Sequence, residues 1–134
     1  MFTSFSLDPS MLATVGGTFY PTGYSMVMLP DEATAVSVGT ELSTRLEDSE
    51  VLLVTPAAIL SQITPTAKDA DDPLPSAGTE GATVRAYTKL AREGHYGLLV
   101  KTPNEETAAK MMEVVSRGPY LMAQRYRMFV IEDL

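Results

Sequence analysis

A chain of 134 residues with 45% apolar and 20% charged residues has the size and balance of one globular domain, long enough to bury roughly two-thirds of its unfolded surface. It contains no cysteine, which excludes disulfides, thiolate metal sites and a thiol nucleophile. Its 17 acidic against 10 basic residues leave a formal charge of -7, which with no cluster of Lys or Arg argues against nucleic acid as a partner.

Residues 1–22, with Gly16-Gly17 and Gly23 flanking Phe19, Tyr20 and Pro21, read as a flexible N-terminal arm. They lack the basic start and continuous apolar stretch of a signal peptide, and no run reaches the ~18 apolar residues of a membrane span. The expectation is a cytoplasmic protein with no membrane partner. Tyr24 to Leu29 is a short apolar run that reads as a strand. After Pro30-Asp31-Glu32, residues Ala35, Val38, Leu42 and Leu46 recur at spacings of three and four, the pattern of a helix with one apolar face. Glu50 to Val54 reads as a second strand, and Thr55-Pro56 opens a short helix, where proline's missing N–H has no intrahelical partner to lose.

Residues 64–77, rich in Pro, Asp, Ala and Thr, lack periodicity and read as a mobile acidic loop within a single domain, 1–134. A helix is expected from about Thr79 to Arg92, capped by Thr79, with Val84, Tyr87 and Ala91 on one face and Gly94 just past its end. Tyr96 to Lys101 reads as a third strand. Thr102-Pro103-Asn104-Glu105 then reads as a capping box, with Thr102 capping the first turn and Glu105 reaching back to it. The helix it opens carries Ala108, Met111, Met112 and Val115 inward and stops at Gly118-Pro119. A last strand is expected from about Gln124 to Ile131.

The segment Gly23 to Ala35 lies well beside Gly94 to Ala108, and each half ends in another strand. Two βαβ units in succession predict an α+β, ferredoxin-like fold: an antiparallel four-stranded sheet, two helices on one face, and extra helices in the central connection. A flavodoxin-like parallel sheet is the alternative, disfavoured by the count of four strands. At this level of pattern, Gly23 to Asp133 resembles the small ferredoxin-like domains of regulatory modules and bacterial stress-associated proteins.

A four-stranded sheet with helices on one face leaves the other open. Leu99, Phe129 and Ile131 on that face would form an apolar patch that monomers seldom expose, so a homodimer through the sheet is expected, or coverage by the arm or the connector helices. His95, the only histidine, has the ordinary pKa of a general base, although its place at a helix-to-strand turn also suits a solvated polar residue. Arg125 and Arg127, two apart on one strand, could clamp a carboxylate or phosphate with Tyr96 and His95 as further ligand contacts. The preferred reading is that they answer the acid surplus elsewhere, such as Glu132 and Asp133 of a facing subunit. Asp69, Asp71 and Asp72 lack the glycine and glutamate of an EF-hand, and Gly78-Thr79-Glu80-Gly81 is not a phosphate loop. No cofactor and no metal are expected. The function these features favour is a non-enzymatic regulatory or interaction module, a homodimer taking a small anionic ligand or a protein partner at the subunit boundary. The alternative is a small enzyme with a pocket lined by His95, Tyr96 and Arg127.

Overall fold

The computed structural model describes residues 2–14, 16–46, 48–67 and 79–134. Among these the chain is α+β, with a mixed six-stranded sheet and four α-helices. The strands are β1 (Phe2–Ser4), β2 (Tyr24–Leu29), β3 (Val51–Val54), β4 (Tyr96–Lys101), β5 (Met122–Arg127) and β6 (Val130–Asp133). They lie in the order β1-β3-β4-β2-β5-β6. The helices are α1 (Glu32–Arg45), α2 (Pro56–Ala58), α3 (Thr79–Arg92) and α4 (Glu105–Val115).

β2, at the centre, pairs antiparallel with both β4 and β5, and β3 pairs antiparallel with β4. The unit β2-α1-β3 therefore joins two parallel strands with β4 between them, and β4-α4-β5 joins two parallel strands with β2 between them. Two more strands extend this set of four. β1 adds parallel to β3, and β6 folds back on β5 as a hairpin. The sheet thus has six strands where four were expected.

Both faces of the sheet are covered. On one, α1 and α4 pack Ala35, Leu42, Met111 and Val115 against Val27, Leu29, Leu98 and Val100. On the other, α3 and the turns that follow α2 bring Ile59, Ile63, Val84 and Tyr87 onto Met26, Met28, Leu52 and Leu99. The segment read as a flexible arm adds Phe5, Met11 and Phe19 to this second layer, and Phe19 is wholly buried. The face expected to lie open is closed by these elements, so Leu99 is buried. Ile131 is half-buried against the same layer. Strands covered on both sides read as continuous apolar runs, as Met26-Val27-Met28-Leu29 does.

Two local expectations change. Asn104, not Thr102, caps α4: its side-chain oxygen accepts from the Thr107 N–H at 2.8 Å. Thr102 is buried instead, its hydroxyl 2.7 Å from that of Ser25. The last strand breaks in two at Met128-Phe129, giving the β5–β6 hairpin. The expected loop at 64–77 begins as a short helical turn, Thr64–Thr66; residues 68–78, including Asp69, Asp71, Asp72 and Gly78, lie outside the described residues.

Candidate functional site

His95 and Tyr96 sit where β4 begins. Gly94, at φ +89°, lets the chain leave α3 in the left-handed conformation that glycine accepts without strain. His95 Nδ1 donates to the Pro30 carbonyl at 2.9 Å, tying this turn to the one between β2 and α1. The Tyr96 hydroxyl donates to Glu32 Oε2 at 2.9 Å, and that bond raises its pKa above the ordinary phenol value. Both residues are engaged in holding turns together.

Arg125 and Arg127 lie at the other end of the sheet. Register sets Tyr96 opposite Leu29 and Arg125 opposite Ser25, four residues apart along β2, or about 13 Å at the usual strand rise. Arg127 is two residues further on. His95, Tyr96 and Arg127 therefore do not converge on one pocket. Nor do the two arginines form a clamp. Arg125 is buried and faces Glu132 across the hairpin, Nη1 to Oε1 3.7 Å, while Arg127 is exposed. The carboxylate expected from a facing subunit comes from the neighbouring strand of the same chain.

The clefts lined by described residues include two on the surface. One, of about 560 Å³, lies between the end of α1 and the start of α4, with Arg45, Asp48, Lys101 and Lys110 in its walls. Its charge is largely answered locally, because Arg45 pairs with Glu41 at 3.0 Å and Lys110 with Glu106 at 3.3 Å.

The other, of about 510 Å³, lies beside the hairpin tip between Leu12, Tyr20, Glu80, Met128 and Phe129. Its floor is well built. Tyr20 packs edge-on against Tyr126 with ring centroids 5.0 Å apart, and its hydroxyl donates to the Arg127 carbonyl. Burial, and then the carboxylate of Glu80, push the Tyr20 pKa up. At the rim stand large apolar side chains in water: Met128 is 72% exposed, Phe129 93% and Val130 50%.

The turn that carries them has an unusual composition. Two-residue hairpin turns favour Asn-Gly, Asp-Gly or a leading Gly, because the preferred turn types need positive φ. Here the two turn residues are Met128 and Phe129, and neither has positive φ. Nothing in that dipeptide announces a turn, so the sequence reads through it as strand. The signal that would have found it is the pairing of side chains about the 128–129 midpoint: Arg125 with Glu132, and Gln124 with Asp133, whose side chains hydrogen-bond at 2.9 Å.

Among the described residues no group of three or more His, Cys, Asp or Glu could hold a metal ion, and no helix is long and apolar enough to cross a membrane. Comparison with protein-family models, curated proteins and solved structures gives no significant match.

Proposed function

We propose that this chain is a non-enzymatic interaction module that works as a homodimer, with the β5–β6 hairpin tip as its contact surface. The observation that carries the reading is the run of Met128, Phe129 and Val130, exposed at a turn whose conformation asks for none of them. A soluble monomer gains nothing from an aromatic ring held in water at a turn, whereas an interface gains a large, stiff apolar anchor. β6 strengthens the case, since among the described residues it is the outermost strand on its side and leaves an edge open next to the tip. The interleaving of the two βαβ units supports a ferredoxin-like reading of the inner four strands, a scaffold that accommodates many functions. The regulatory role is inferred from this contact surface.

Light scattering across a range of concentrations tests the proposal. The wild-type chain is expected to show twice the chain mass. Burying one phenylalanine contributes about 1.5–3 kcal/mol, and a two-fold dimer buries two. Phe129→Ala should therefore weaken the dimer at least ~100-fold, at about 1.4 kcal/mol per tenfold. A wild-type chain that stays monomeric at every concentration would overturn the reading.

A further inference from the structure

Phe129 stands at the rim of the cleft yet is 93% exposed, so it does not fill the cleft beside it. An aromatic knob and a cleft of mixed lining, with Leu12, Tyr20 and Met128 beside Thr14, Thr22 and Glu80, thus lie side by side on one surface. Such a patch is self-complementary: a single two-fold rotation sets each knob against the other copy's hole and fills both at once. A cleft of about 510 Å³ falls within the roughly 300–1,000 Å³ of sites that enclose whole small molecules, so it has room for a phenyl ring. Its walls suit one, with Leu12, Met128 and the Tyr20 ring around it. Edge-to-face contact with Tyr20 would extend the aromatic series that Tyr20 and Tyr126 already form.

Charge points to the same occupant. The chain as a whole is acidic, so two copies repel at long range and need locally opposite charges where they meet. The cleft wall carries Glu80, and the knob is flanked by the exposed Arg127. A second copy that inserts Phe129 brings Arg127 towards that carboxylate.

We propose that Phe129 of one copy seats in the cleft between Leu12, Tyr20 and Met128 of a second copy, reciprocally about a two-fold axis. This rests on the dimer reading above and specifies its geometry. The chain has no cysteine, so introduced thiols report contact cleanly. Thr14, exposed on the cleft wall, and Val130, next to the knob, are the positions to use. Differently tagged Thr14→Cys and Val130→Cys chains are mixed and treated with a short bismaleimide, and Ala13→Trp, which fills the cleft from its wall, is examined by light scattering alongside.

The expected result is a cross-link joining the two tagged chains, and a monomer mass for Ala13→Trp with the circular dichroism of the wild type. A wild type that is dimeric, with a cysteine pair that gives only like-to-like cross-links or none, would overturn the knob-in-cleft geometry and leave the dimer reading standing. A folded Ala13→Trp that remains dimeric would do the same. A monomeric wild type would remove both. Should Ala13→Trp fail to fold, the cross-link alone decides.

Discussion

Tyr87 and Tyr126 meet in the core with their hydroxyls 2.9 Å apart, and the Tyr87 hydroxyl also reaches Gln124 Oε1 at 3.2 Å. Burial is the main reason that both phenols hold their protons well above the ordinary value of 10.0. Tyr24 is pushed up to about 12, first by burial and then by its bond to Glu50. A neutral phenol favoured by the fold contributes stability that is complete below the unfolded-state pKa and is lost as pH rises through the folded one. From neutral pH upward, chemical denaturation should therefore show no loss from these phenols until about pH 10 and a steep fall above it. Tyrosinate absorbance should show Tyr87 and Tyr126 ionising only together with unfolding; their titration in a chain that stays folded would contradict this. Tyr87→Phe removes one partner and leaves the Tyr126 hydroxyl without the bond it makes, at an expected loss of about 1–3 kcal/mol. It should also make the alkaline fall less steep, since one phenol held protonated by the fold is gone.

Elements that announce themselves locally were legible. Tyr96–Lys101 is a strand to the residue, the helices over Glu32–Arg45 and Thr79–Arg92 follow their apolar spacing, and Pro56 begins α2. What escaped depended on partners distant in sequence. β1 is three residues long and exists only because Val51–Val54 offers it an edge. The second covering layer was written in the continuous apolar runs of β2 and β4, which mark burial on both faces, but those runs do not say which segments do the covering. The candidate site was half visible: Phe129 could be singled out as an apolar residue in need of cover, whereas its turn, and the cleft built by Leu12 and Tyr20 more than 100 positions earlier, could not.

Gly39 shows how closely α1 and β1 depend on each other. A Cβ added there would stand 2.5 Å from the Phe2 ring, so the helix accepts a glycine, about 0.5–1 kcal/mol worse than alanine in its interior, to let that ring approach. Gly39→Ala alone should displace β1 and lower stability. In a Phe2→Ala background the same change should raise it by about 0.5–1 kcal/mol, the ordinary preference of a helix for alanine. Denaturant midpoints of the four proteins in this cycle measure the coupling, and a Gly39→Ala that stabilises equally in both backgrounds would show that the ring is not held there.

At the scale of the whole molecule, the N-terminal segment completes the second covering layer that α3 and the turns after α2 begin. Phe5, Met11 and Phe19 are buried at 6%, 7% and 0% exposure. Phe19 meets Phe5, Tyr87 and Tyr126 edge to face at centroid distances of 6.2, 6.5 and 5.9 Å. Backbone bonds from the Phe5 N–H to the Leu53 carbonyl and from the Gly23 N–H to the Tyr126 carbonyl, each 2.9 Å, fasten the segment at both ends. At about 1.5–3 kcal/mol per buried side chain, the three apolar groups alone contribute roughly 5–9 kcal/mol, an upper figure because an unfolded chain is already partly collapsed. Domains of this kind are stable by only about 5–15 kcal/mol in total, so the segment carries a share comparable to the whole margin. A chain beginning at Gly23 should lose its cooperative thermal transition, bind a hydrophobic dye, and keep most of its far-ultraviolet circular dichroism, because α1 and α4 still cover the other face. If it instead melts cooperatively near the temperature of the intact protein, the segment is a detachable arm. The cleft wall formed by Leu12 and Tyr20 would then be mobile, and a dimer that seats Phe129 there would have to order it on binding.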